Sequence, residues 1–198
     1  MSYNYPLNLS FKLLAFGPQI FVRDSVGNEV FYVHMKALKL KEAINVYENS
    51  SKERVLFTIK ADRVIDFSAE YHIADSNGQR LGSIKRQGMK SLFKASYDIM
   101  GGDGNQSHHI KEDNGWVRVM DSLLSQIPFV SMFSGYFFHP SYTLYTMGES
   151  AVMNLEKQAA FFEGKFSLKL NEPGIDQGTE HLLLMSIMMM TLLERQRG

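Results

Sequence analysis

Twenty-one Lys and Arg residues balance 21 Asp and Glu residues, so any electrostatic chemistry must come from where the charges sit. One placement recurs. Lys36, Lys60, Lys85–Arg86 and Lys111 each follow a short β-type stretch, and Lys90 and Lys94 lie close to the third of these positions. Gathered on one rim, such cations would face an anionic surface, and each Lys or Arg near an anionic membrane contributes about 1 kcal/mol. Four would give about 4 kcal/mol, close to a thousandfold, which suits reversible docking. Solvated lysines at strand ends also discourage edge-to-edge pairing, a purely structural role for the same residues. The neutral balance argues against nucleic acid, whose binding leans on a strongly basic face.

Other reactive side chains form no catalytic set. Six histidines, His34, His72, His108, His109, His139 and His181, show neither zinc-finger nor His-Glu-x-x-His spacing, so no metal is expected. His108 and His109 are neighbours in a strand and point to opposite faces. Asp24, Asp75 and Asp103 lie in loops too short for a twelve-residue calcium site and suit turns better. Gly101-Gly102-Asp103-Gly104 lacks the trailing Lys of a phosphate loop, and no Gly-x-Ser-x-Gly elbow occurs. The absence of cysteine removes thiolate catalysis and disulfides and fits a cytoplasmic protein. The expectation is a protein that is not an enzyme and carries no cofactor.

These residues must be positioned by something, and the chain repeats one hairpin. An aliphatic residue is followed by a turn-starter two positions on, a turn-closer five on and another aliphatic eleven on. The copies are Val22/Asp24/Gly27/Val33, Ile73/Asp75/Gly78/Ile84, Ile99/Gly101/Gly104/Ile110 and Leu144/Thr146/Glu149/Leu155. A looser copy runs Val46/Glu48/Ser51/Phe57, where two extra residues would give the last role to Ile59. Asp accepts backbone N–H groups at the turn start, and Gly supplies the positive φ that closes a type I turn with a bulge. Five hairpins give ten strands; Leu9–Phe16 and Phe166–Leu170 alternate well enough to make twelve.

Residues 181–193 are apolar on every face, and such a helix must be surrounded. At roughly 16 residues it reaches about 24 Å, short of the ~30 Å of a bilayer core, so protein rather than lipid should surround it and no transmembrane segment is expected. An eight-stranded barrel fills its own interior, whereas one of about eleven holds a central helix. The sequence therefore predicts one mainly β domain over residues 1–198, a closed antiparallel barrel of about twelve strands around a C-terminal helix at about 179–195. Trp116, Val119, Met120, Leu123, Leu124 and Ile127 follow helical spacing, predicting an amphipathic helix over about 116–127 that ends at Pro128. An aromatic strip, Phe129–Phe138, follows it.

The Asp-x-x-Gly hairpins, the basic positions after them, the Phe161-Phe162-Glu163-Gly164-Lys165-Phe166 strand and the apolar C-terminal helix together resemble the tubby C-terminal-like superfamily. That group includes LURP-one-related proteins and phospholipid scramblases, and the likeness is closest to its bacterial members. The resemblance implies a twelve-stranded barrel around a central helix, and a non-enzymatic family whose tubby members bind phosphoinositide headgroups through basic residues. No lipid site matches residue by residue. The cysteine cluster and membrane-associated C-terminal segment of the scramblases have no counterpart, so lipid scrambling is not expected. The expected function is docking on an anionic phospholipid or phosphoinositide surface, or on a protein partner, through Lys36, Lys60, Lys85, Arg86, Lys90 and Lys111, with the protein peripheral on the membrane. Two other functions compete with it. One is a small-molecule carrier or enzyme with a pocket at a barrel mouth near His109, His139, Tyr136, Phe137 and Phe138; the other is a scaffold using Phe129–Phe138.

Overall fold

Twelve antiparallel strands follow one another around a ring and close on themselves. The structure is a computed structural model and describes residues 3–14, 17–35, 43–63, 69–88, 94–113, 140–158 and 164–195. The amphipathic helix expected at 116–127, the strip Phe129–Phe138, His139, Lys36, Lys90 and Phe161–Glu163 lie outside the described residues.

The strands are β1 (Leu7–Leu14), β2 (Gly17–Arg23), β3 (Glu29–His34), β4 (Ile44–Tyr47), β5 (Val55–Ala61) and β6 (Glu70–Asp75), then β7 (Arg80–Arg86), β8 (Ser96–Gly101), β9 (Gln106–Glu112), β10 (Ser141–Thr146), β11 (Ala151–Gln158) and β12 (Gly164–Leu170). Every neighbour in the ring is also a neighbour in sequence, except where β1 pairs with β12 to close it. Strand direction alternates, so the tight turns β2–β3, β4–β5, β6–β7, β8–β9 and β10–β11 all lie at one end, the turn end. The opposite ends of the strands form the far end. Helix α1 (Gln177–Arg195) follows β12 and threads the barrel from the turn end to the far end.

Alternation explains the interior. Leu7, Leu9 and Phe11 of β1, Ile20 and Val22 of β2, Phe31 and Val33 of β3, and their counterparts around the ring are buried and form one core with α1. Every residue of α1 from Leu182 to Leu192 is buried, Ser186 and Thr191 included. This is the consequence of a helix with no polar stripe being enclosed by a wall whose inner face is apolar. The gap left between helix and wall at Leu9, Val22, Phe31, Leu184 and Met188 is about 10 Å³, at the lower limit of what one water requires. At that point the barrel is filled by side chains and holds no ligand-sized chamber.

The five turns follow one plan. A backbone bond runs from the closer to the starter: Gly27 to Asp24, Lys52 to Asn49, Gly78 to Asp75, Gly104 to Gly101 and Glu149 to Thr146. All five closers have positive φ, at 93°, 61°, 81°, 81° and 61° in that order. In the looser copy the closer is Lys52 rather than Ser51. The bond between its flanks runs from Glu48 to Arg54, two residues longer than Asp24 to Asn28 or Asp75 to Gln79. Ile59 accordingly takes the last role, pairing with Ile44 while Phe57 pairs with Val46.

Gly82 in β7 sets how closely the helix approaches the wall. A Cβ there would sit 2.1 Å from the Met100 carbonyl oxygen and 2.9 Å from both methyls of Leu182. Backbone and packed helix would both have to move, an overpacking cost of about 1–3 kcal/mol. Gly82→Ala should therefore lower Tm by roughly 3–10 °C in thermal unfolding followed by circular dichroism. An unchanged Tm would mean the helix is not seated against β7.

Candidate functional site

The two ends of the barrel differ in charge. At the far end Lys60, Lys94 and Lys165 are exposed and Lys85 and Lys157 half-exposed. Lys94 precedes β8, Lys157 lies near the end of β11, and Lys165 opens β12 opposite Ser10. Lys157 and Lys165 were not singled out from the sequence. A looser signal for Lys157 was present, since it stands two residues after Leu155, the last aliphatic of the fifth hairpin, where Lys60 directly follows Ile59. Lys85 stands between Glu70 and Asp98, its cross-strand neighbours. Arg63 is held 2.8 Å from Asp62, and hydrogen bonds from the Arg63 side chain, then from the Glu70 backbone, bring the Asp62 carboxyl down to about 2.

Two of the expected rim cations have other partners. Arg86 follows Lys85 in an alternating strand and therefore points inward, where its side chain is only 7% exposed and lies 3.3 Å from Glu194 of α1. The Arg86 guanidinium also lies over the Tyr97 ring at 5.6 Å, and the Tyr97 hydroxyl donates to Glu194. Burial, reinforced by the Glu194 charge, pushes the Tyr97 hydroxyl far above its usual range. Arg86 thus ties the helix C-terminus to the wall. Lys111 points outward, but its Nζ reaches back 3.0 Å to both oxygens of Glu149 in the β10–β11 turn and lies over Tyr145 at 5.5 Å. His109 stacks on the same Tyr145 ring at 5.4 Å. It is buried on the outer face of β9; Tyr136, Phe137, Phe138 and His139, named with it for a mouth pocket, lie outside the described residues.

The turn end is acidic. Asp24, Glu48, Asp75, Asp103, Glu149, Asp176 and Glu180 all stand there. The aspartates shape turns as expected: Asp24 accepts from the Val26 and Asn28 N–H groups, Asp75 from Asn77 and Gln79, and Asp103 from Asn105. Burial would raise the Asp24 carboxyl, but bonds from Asn28, Asn4 and Val26 outweigh it and hold the group below the usual carboxylate range. Two tyrosines close this end. Tyr3 Oη lies 3.0 Å from His181 Nε2, and Tyr5 Oη donates to Glu180 at 2.9 Å. Beside them opens a cleft of about 510 Å³ lined by Tyr3, Asp24, Glu29, Glu48, Arg54, Phe57, Asp75 and His181, among others. Burial draws His181 below the ordinary histidine value, so it is neutral at neutral pH.

The family model described as LURP-one-related matches residues 29–190 of the chain. A protein from Arabidopsis thaliana solved by X-ray crystallography is similar in structure, with a TM-score of 0.51 and 15% sequence identity, covering 92% of this chain and 89% of that one. At that identity the likeness is one of fold. No curated protein matches the sequence. No helix among the described residues is long and apolar enough to cross a membrane, a statement that leaves strands aside.

Two outcomes follow from the ends of α1. Arg86→Met leaves the nearly buried Glu194 carboxylate without its guanidinium and should cost about 3 kcal/mol, whereas Arg86→Met with Glu194→Leu should recover most of it. Urea midpoints of the three proteins check this, and a double variant no better than the single would contradict the pairing. His108 and His181 are both held low by burial. Their unfolded forms therefore take protons first, and stability falls as pH drops below about 6.5. The depressed carboxylates lose their contribution only below about pH 4–5, so the window from 6.5 to 5 belongs to histidine. His181→Gln should flatten the loss of urea midpoint across that window; a parallel slope would exclude His181 as a source.

Proposed function

Because the chain belongs to the LURP-one-related family, we propose that it is a non-catalytic, tubby-like barrel, cytoplasmic and peripheral, that docks on anionic phospholipid surfaces through its far end. The observation that carries this reading is the separation of charge along the barrel axis. Exposed Lys60, Lys94 and Lys165 stand at the far end, while the carboxylates of Asp24, Glu48, Asp75, Asp103 and Glu149 crowd the turn end. A dipolar barrel is steered with its basic end toward a negative surface, and near that surface each lysine adds about 1 kcal/mol. Lys85 and Lys157 add to this edge; Lys36 and Lys90 lie outside the described residues. Arg86 and Lys111, committed to Glu194 and Glu149, contribute through barrel stability instead.

Flotation with phosphatidylserine-containing and pure phosphatidylcholine vesicles tests the reading. Binding should require the anionic lipid and weaken with added salt. Lys60→Gln with Lys165→Gln should remove about 2 kcal/mol, roughly thirtyfold in affinity. Lys111→Gln should leave vesicle binding unchanged. Negligible or equal binding to both vesicles would end the lipid reading, and loss of binding in Lys111→Gln equal to that in the double variant would end the assignment of the far end.

A further inference from the structure

We propose that the cleft at the turn end is a binding site for a small organic cation, an amine or guanidinium carried on a short apolar body. This inference does not rest on the lipid reading, since it concerns the opposite end of the barrel and needs no membrane.

The space exists because one hairpin breaks the pattern of the other four. The β4–β5 turn spans two more residues than its counterparts, and its flanks supply Glu48, Arg54, Leu56 and Phe57 to the cleft wall. The resulting opening, about 510 Å³, is within the range of small-molecule sites.

The floor is aromatic and the rim acidic, a combination that selects one class of ligand. Phe57 and His181 meet edge to face with centroids 4.9 Å apart, and Tyr3 stands 6.0 Å from His181 and 5.3 Å from Phe31. Ring faces attract a cation and also accept the apolar body that carries it. Two of the carboxylates lining the cleft already have basic partners: Glu48 lies 3.7 Å from Arg54, which also lines the cleft, and Glu29 is held at 2.7 Å by Arg23, which does not. That leaves the charges of Asp24 and Asp75 uncompensated. Asp24 spends both its oxygens on the turn and on Asn4. The turn bonds of Asp75 both fall on Oδ1, so its Oδ2 is the oxygen placed to meet a ligand.

An anion is disfavoured even though a helix starts here. The first turn of α1 is already capped, with Thr179 N donating to Asp176 Oδ1 and Glu180 N to the Asp176 carbonyl. The N-terminal donors that would draw an anion are met by the protein's own carboxylate.

Titration of the full chain with phenethylammonium, agmatine and spermidine, followed by ¹H–¹⁵N NMR, tests the site, with 2-phenylethanol as the neutral counterpart. Saturable shifts should centre on Phe57, Asp75 and His181, fall with added salt, and be far weaker for the alcohol. Asp75→Asn keeps the Oδ1 acceptor that shapes the turn and removes only the charge. It should preserve the fold and weaken amine binding about two- to fivefold. Glu48→Gln, at a half-buried position outside the turn bonds of Asp75, leaves the Arg54 charge at the cleft without its carboxylate and, if Asp75→Asn proves unstable, should likewise weaken amine binding. Asp103→Asn, in a hairpin outside the cleft, should bind as the parent does. Absence of saturable shifts, equal binding of the alcohol, or undiminished binding by both charge-removing variants would overturn the proposal.

Discussion

A helix with no polar side has to be covered on all of its sides, and that requirement governs the molecule. Leu182 to Leu192 present leucine, isoleucine and methionine in every direction, so a single sheet or a flanking helix would leave part of the rod in water. The twelve-stranded ring meets the requirement by offering an apolar inner face all the way round. The dependence is mutual. A ring of twelve strands without a filling would enclose a chamber, whereas beside Leu184 and Met188 the gap between helix and wall is about 10 Å³. Methionine suits this seam because an unbranched, polarizable chain adapts to a tapering wall.

Charged and ring-bearing polar contacts of the rod stand at the two places where it meets the ends of the wall; between them only the Ser186 and Thr191 hydroxyls interrupt the apolar run. At the far end, Arg86, Tyr97 and Glu194 satisfy one another in a setting that is almost dry. At the turn end, Tyr3 and Tyr5 reach His181 and Glu180. These contacts fix the depth at which the helix sits, since sliding it by one turn would bury Glu194 against aliphatic side chains and pull His181 from its ring partners. Hydrophobic enclosure is non-directional, and the end contacts supply the register it lacks.

Much of this architecture could be read from residue order. The recurrence of Asp24/Gly27, Asp75/Gly78 and Gly101/Gly104 at one spacing gave the hairpins, and the lack of a polar stripe at 181–193 gave the enclosed helix, observed at Gln177–Arg195. Both signals are local, which is why they survive in a single sequence. Lys52 was harder, because a lysine in the left-handed region carries none of the turn preference of glycine. Its Nζ contact with His34 at 2.7 Å joins residues paired only after β3 and β4 meet. The rim was least legible. Lys85 and Arg86 look interchangeable in sequence, yet alternation sends one outward and the other toward a carboxylate supplied by the last turn of the helix. The cleft was missed for a related reason: Asp24 and Asp75 suit turns, and nothing in their spacing reveals that an enlarged neighbouring hairpin opens a cleft beside them.

The order of elements also shapes how the protein is made. Eleven of the twelve strand pairings join consecutive strands, so an open meander can grow as the chain leaves the ribosome. The seam between β1 and β12, and the rod that follows β12, must wait until the eleven preceding strands have emerged. Until then a broad greasy sheet with two raw edges faces the surrounding water, the kind of species that chaperones hold. Closure and filling are thus a single late event, and the nascent chain is most vulnerable to aggregation just before it.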